Sequence, residues 1–186
     1  MQLEFLEALE EDWRPVSKPA LIAWLVFYGL FLLYALHAHG GFLLIDHVNL
    51  VVHEGGHLLF RWLGSTMGLW GGTLLELLVP LGLAIYFTFQ RQTTATAFAA
   101  FFFFENFLYI ATYMADARSQ GLPLVTVGDA EVGGHDWFNI FSSLGLLQYD
   151  RAIGGTVRVL GWLGLLATVG WLTYRARTAP PRTHHL

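Results

Sequence analysis

Apolar residues run along this chain in long blocks separated by short polar breaks. Five blocks, about Ala20 to Ala38, Phe42 to Leu63, Met67 to Phe89, Thr94 to Met114 and Ile153 to Leu172, approach membrane-crossing length. A helix needs roughly 20 predominantly apolar residues to cross a bilayer. The breaks are rich in turn-forming residues. Pro19 precedes the first block, Gly40-Gly41 follow it, Arg91-Gln92 separate the third from the fourth, and Ala115 to Gly134 is rich in Gly and Asp with Pro123 inside. After His135-Asp136, Trp137 to Leu147 reads as a short interfacial or re-entrant helix. Residues 1 to 17 place Leu3, Phe5, Leu6, Leu9 and Trp13 among acids, as a short amphipathic helix would. The pattern predicts an all-α, polytopic transmembrane helix bundle of about five spans plus the short helix. It divides into an amphipathic segment 1–17, a bundle 18–174 and a basic, flexible tail 175–186.

Composition strengthens that reading. Of 186 residues, 55% are hydrophobic and only 13% charged, against about 25% charged in ordinary globular chains. No basic stripe exists to hold nucleic acid, so membrane lipids are the expected surroundings. The acidic start lacks the features of a cleavable signal peptide, and the first span is expected to stay in place. No cysteine is present, which removes thiolate metal sites and disulfides. With five spans, Arg14, Lys18, Arg61, Arg118 and Arg151 fall on one side and Arg91, Arg175, Arg177 and Arg182 on the other. That split is too even for the positive-inside rule to orient the chain.

The chemistry concentrates in the second block, which contains His53-Glu54-Gly55-Gly56-His57. HExxH on a helix sets two imidazoles on one face, where both reach one zinc ion, and puts a carboxylate beside the metal to activate a water. Asp46, Asn49, His53 and His57 follow helical spacing and form one polar stripe, extended by Arg61. Ionisable groups at membrane depth are costly and face a bundle interior or a wet cavity. Gly55 and Gly56 let another backbone approach closely, for a site or for ordinary helix packing.

A catalytic zinc needs a third protein ligand. His135 ranks first, because it sits where a polar loop meets an apolar segment and can fold back over the site. Asp116 and Asp136 come next, then Glu76, nineteen residues after His57. Asp116 continues a polar face with Asn106, Tyr109 and Tyr113. Asn49 and Asn106 are candidate donors to a developing oxyanion, and Tyr109 and Tyr113 candidate substrate contacts.

An apolar helix carrying HEGGH, a glycine-rich stretch from Gly68 to Gly72 and further spans with late acidic residues resemble the site-2 protease group of intramembrane zinc metalloproteases. The resemblance covers mainly the second and third blocks. It implies His53 and His57 as ligands of one zinc, Glu54 as general base, and an aspartate on a later helix as third ligand. In the family that aspartate lies in an asparagine-proline-aspartate-glycine motif. Here the motif is missing, and the nearest substitutes surround Asp116 and Asp136. The PDZ domain of many members is also missing.

The expected function is therefore peptide-bond hydrolysis in membrane-embedded protein substrates, with Gly68 to Gly72 offering backbone for an added strand. Three alternatives remain. A zinc hydrolase of lipid amides or esters fits the same residues. A metal transporter or sensor would use the stripe with His37, His39 and His47, and a structural subunit would use the polar groups only to bind helices together. Lack of cysteine and compactness suit a bacterial inner membrane. Phe101 to Phe104, Trp70 and Trp137 read as lipid-facing or substrate-path aromatics, and Arg158 in the last span calls for a partner.

Overall fold

The computed structural model describes residues 12–38, 42–122 and 134–178. The first eleven residues of the expected amphipathic segment, His39, most of the polar connection and the tail beyond 178 lie outside the described residues. The described chain is helical, with no strand: α1 (Lys18–His37), α2 (Asp46–Phe60), α3 (Ser65–Phe89), α4 (Thr93–Ala115), α5 (Asp136–Ser143) and α6 (Asp150–Thr178). Single 3-10 turns at Arg61–Leu63 and Leu147–Tyr149 lead into α3 and α6. Four helices are long and apolar enough to cross a membrane: α1, α3, α4 and α6.

The second expected span is different. α2 has 15 residues, or about 22 Å at 1.5 Å per residue, short of a ~30 Å hydrocarbon core. It begins beside the middle of α4, where Asn49 reaches Glu105 at 3.0 Å. Glu105 lies twelve residues, or ~18 Å, along α4 from Thr93. The chain leaves α1, and α2 then runs alongside the second half of α4.

This arrangement changes the distribution of basic residues. Trp13 packs edge-on against Trp171 at 5.0 Å, with the Arg91 and Arg175 guanidinium groups 5.4 and 4.9 Å from its ring centre. The Arg14 N–H donates to the Arg91 carbonyl (2.9 Å), and Thr93 Oγ1 donates to the Arg14 carbonyl (2.6 Å). The start of α1, the α3–α4 turn and the end of α6 thus share one end of the bundle. Arg14 and Lys18 join Arg91, Arg175 and Arg177 there, away from Arg61, Arg118 and Arg151. The even split expected for five spans does not hold, because α2 does not carry the chain from one end of the bundle to the other.

Local chemistry explains the element ends. Ser17 Oγ accepts from the Ala20 N–H at 3.4 Å, and Pro19 occupies the first turn of α1, where its missing N–H costs nothing. At the opposite end Asp150 is buried and takes the Arg118 guanidinium at 2.6 Å. The core is built where α1, α4 and α6 meet. Tyr28 packs tilted against Phe101 at 4.4 Å between centroids, with Leu108, Leu165 and Leu172 buried around them. Arg158 finds its partner on α4, donating to Thr112 Oγ1 at 3.0 Å.

Candidate metal centre

α2 and α3 form an antiparallel pair whose backbones touch. A Cβ on Gly56 would collide with the Gly71 carbonyl, and one on Gly71 would lie 2.5 Å from the Gly56 oxygen. One residue on, a Cβ on Gly72 would lie 2.5 Å from the His53 ring. Glycine at these positions is what lets α2 lie close enough for His53 to seat its ring against α3. The expected stripe is real. Asp46, Asn49 and His53 are buried, and His57 is half-buried one turn further on.

Both imidazoles are held from behind. His57 Nδ1 donates to the Gly68 carbonyl at 2.7 Å. His53 Nδ1 lies 3.1 Å from Glu76 Oε1, close, though neither Glu76 oxygen is aligned in a hydrogen bond. The opposite nitrogens then face a common point. Asp136 Oδ2 is 2.9 Å from His53 Nε2 and 3.0 Å from His57 Nε2. One ligand atom from each of these three residues lies within 4.8 Å of the others, so the group could hold a metal ion.

The donor set is one that zinc takes. With bonds of about 2.1 Å at tetrahedral angles the ligand atoms would stand ~3.4 Å apart, a few tenths of an ångström more than the two nitrogen–oxygen distances here. With His57 Nδ1 spent on a carbonyl, the ring in its neutral form would turn a lone pair toward an anionic oxygen. That contact is repulsive unless a proton or a cation lies between.

Asp136 reaches the site because α5 starts there. His135 precedes the helix and caps it, its Nδ1 accepting from the Phe138 N–H at 3.2 Å. The Asp136 N–H donates to the Tyr113 hydroxyl at 3.1 Å, and that hydroxyl lies 3.3 Å from Asp136 Oδ2. Burial would raise the Asp136 carboxyl, but His53 and His57 outweigh it and hold it at about 2.

The other ranked ligands are placed elsewhere. His135, ranked first, turns its Nε2 toward Asp116 Oδ2 at 3.5 Å and lays its ring on Tyr113. Burial pushes the His135 imidazole down. Asp116 closes the turn after α4, accepting from Ser119 Oγ (2.7 Å) and from the Gly121 and Leu122 N–H groups (3.0 Å each). Burial would raise its carboxyl, but these donors hold it below the usual range. Glu76 stands behind His53. The reason is geometric: the residue at a helix cap spends its side chain on the cap, and the next one projects from the first turn.

Glu54 and His53 border a cavity of about 350 Å³, walled by Phe42, Leu50, Tyr109 and Tyr113 among others. Tyr109 and Tyr113 are thus beside the centre. Asn106 is not, since its amide donates to the Phe102 carbonyl at 2.9 Å along its own helix. Asn49 donates to Glu105. The expectation that Gly68 to Gly72 offers backbone for an added strand is corrected, because the stretch lies inside α3 with its backbone in helical bonds. Of the three further histidines, His47 borders the cavity and His37 bonds back to the Leu33 carbonyl.

Sequence reasoning passed over Glu105, buried with Asn49 and Asp46. An acid inside a phenylalanine-rich span was the available signal.

No family model, curated protein or solved structure matches the chain. What the fold and site define is a helical membrane protein whose His53, His57 and Asp136 could hold a metal ion.

Proposed function

We propose that the chain is an intramembrane zinc hydrolase that cleaves peptide bonds of membrane-embedded proteins. One observation carries the reading: two imidazoles and one carboxylate converge beside a largely apolar cavity that His53, one of the three, borders together with Glu54. When bound there, zinc supplies a water acidified towards a pKa of ~7 and polarises the substrate carbonyl. His53, His57 and Asp136 would hold it.

The remaining work falls to side chains of this protein. Glu54 removes the proton from the attacking water and returns it to the leaving nitrogen. The Tyr109 or Tyr113 hydroxyl, at the cavity wall, donates to the oxygen that gains charge. Phe42 and Leu50 keep bulk water out and the dielectric low. A helical substrate is about 10–12 Å across, so a 350 Å³ cavity admits it only as an unwound strand.

That same size and lining favour a second reading, a lipid amide or ester whose acyl chain fills the cavity. A bacterial inner membrane suits the compact, cysteine-free chain.

The test is elemental analysis of detergent-purified protein beside His53→Ala, followed by cleavage assays. One zinc per chain, lost in the variant, supports the centre. Glu54→Gln is then expected to retain zinc and lose turnover. A wild type that takes up no metal even when zinc is offered sinks the reading. Cleavage of a lipid extract without effect on membrane peptides selects the second.

A further inference from the structure

One turn before His53, the polar stripe of α2 enters a second buried cluster that the metal centre does not use. Asp46, Asn49 and Glu105 are 3%, 1% and 1% exposed. The Asn49 amide donates to Glu105 Oε2 at 3.0 Å and to Asp46 Oδ1 at 3.4 Å, and the Leu43 N–H donates to Asp46 Oδ2 at 2.6 Å. The same Asn49 nitrogen thus holds an oxygen of each carboxyl group, and brings the two acids together across one donor. Two buried atoms in the cluster, Glu105 Oε1 and Asn49 Oδ1, have no hydrogen-bond partner.

Charge makes this arrangement unstable with both acids ionised. Two carboxylates that share a single donor out of water do not both stay ionised without a compensating cation. Among the described residues no Lys or Arg pairs with either one. The other titratable groups facing the pair are His47 on α2, Glu76 on α3 and Tyr109 on α4. Glu76 adds further negative charge. His47 bonds through Nδ1 to the Leu44 carbonyl at 3.1 Å and acts on Asp46 through its charge.

We propose that Asp46, Asn49 and Glu105 form an intramembrane proton-binding site, in which one proton is held between the two carboxyls. Asn49 donates to both acids and fixes their separation. Asp46 also borders the cavity, so the proton exchanges with whatever occupies it. A cationic group entering the cavity displaces the proton, and the pair takes it up again when that group leaves. The cluster thereby lets the cavity change charge without leaving two bare carboxylates at membrane depth. Nothing in this depends on the metal or on hydrolysis.

Infrared spectroscopy of the purified protein tests it, through the C=O stretch of an un-ionised carboxyl at neutral pH. The wild type is expected to show that band, and to show it shifted when glutamate or aspartate is carbon-13 labelled. Asp46→Asn and Glu105→Gln should each abolish it, while Glu76→Gln and His53→Ala leave it. Zinc measured on the His53→Ala sample separates the two ideas, because metal is lost there and the band stays. Isotope labelling of the wild type decides the presence of the proton even if the cluster variants do not fold. Absence of the band at neutral pH overturns the proposal. So does a band that survives both cluster variants, or one that appears only when sodium and potassium are withdrawn, which would make the occupant a metal cation.

Discussion

Two polar clusters sit on the same stripe of α2, one turn apart, and they are wired in opposite ways. At His57 the outward nitrogen bonds to the Gly68 carbonyl, at His53 it lies 3.1 Å from Glu76, and both inward nitrogens meet one oxygen of Asp136, where a proton or a cation has to lie between them. At Asp46 and Glu105 an amide and a backbone N–H already supply donors. The first arrangement leaves lone pairs converging and invites a cation with empty orbitals. The second leaves only a proton's worth of unmet demand. Burial and acidity alone do not separate a metal site from a proton site. The placement of donors does.

The strongest way to break that contrast is to exchange the acids. Asp136→Asn is expected to strip zinc from the chain, whereas His135→Ala and Asp46→Asn should leave it bound. Elemental analysis of the three variants decides this. Zinc retained by Asp136→Asn and lost from His135→Ala would return the third ligand to the histidine. A smaller effect is expected behind the ligands. Glu76→Gln removes the charge that orients His53, and outer-shell changes of this kind cost about 10–100-fold in metal affinity. Competition with a chelator of known affinity reads it, and an unchanged affinity would reduce Glu76 to a packing residue.

Much of this is legible in the sequence itself. The spans now seen as α1, α3, α4 and α6 stand out because membrane helices are continuous apolar runs. HExxH specifies its own geometry within five residues. Which residue joins His53 and His57 was open among His135, Asp116, Asp136 and Glu76, because choosing between the neighbours His135 and Asp136 requires knowing which residue caps α5, a one-residue question of helix phase. The shortness of α2 was hidden for a related reason: Phe42 to Leu63 is apolar enough over its length, and nothing local says that the helix starts only at Asp46. Glu105 escaped because its partners, Asp46 and Asn49, are more than fifty residues away in sequence.

The contrast also rests on how closely α2 approaches α3. Gly71→Ala would place a methyl group 2.5 Å from the Gly56 oxygen, and overpacking of this kind costs about 1–3 kcal/mol. Gly72→Ala would instead press on the His53 ring. Both variants should lower the unfolding temperature in detergent. Gly72→Ala should in addition weaken zinc binding more than Gly71→Ala does. Equal losses of affinity would mean that the helix spacing, rather than the seat of the His53 ring, controls the centre.

The smallest effect concerns the acid that resembles Asp136 in composition but not in wiring. Asp116 has its oxygens met by Ser119, Gly121 and Leu122, and it lies at a loop rather than at the cavity. Its carboxyl is held below the usual range in the folded chain. The stabilisation it contributes is therefore present above the unfolded value, ~3.9, and is lost as the pH falls through the lower, folded value. Asp116→Asn should cost under about 1 kcal/mol at neutral pH, as exposed charge contacts generally do. Its deficit relative to wild type should shrink as the pH is lowered below ~4, measured as the difference in unfolding temperature. Zinc content should stay the same throughout. If Asp116→Asn empties the metal site while the fold persists, Asp116 and not Asp136 completes the centre, and the distinction between a satisfied loop acid and an unsatisfied ligand fails at the residue chosen to test it.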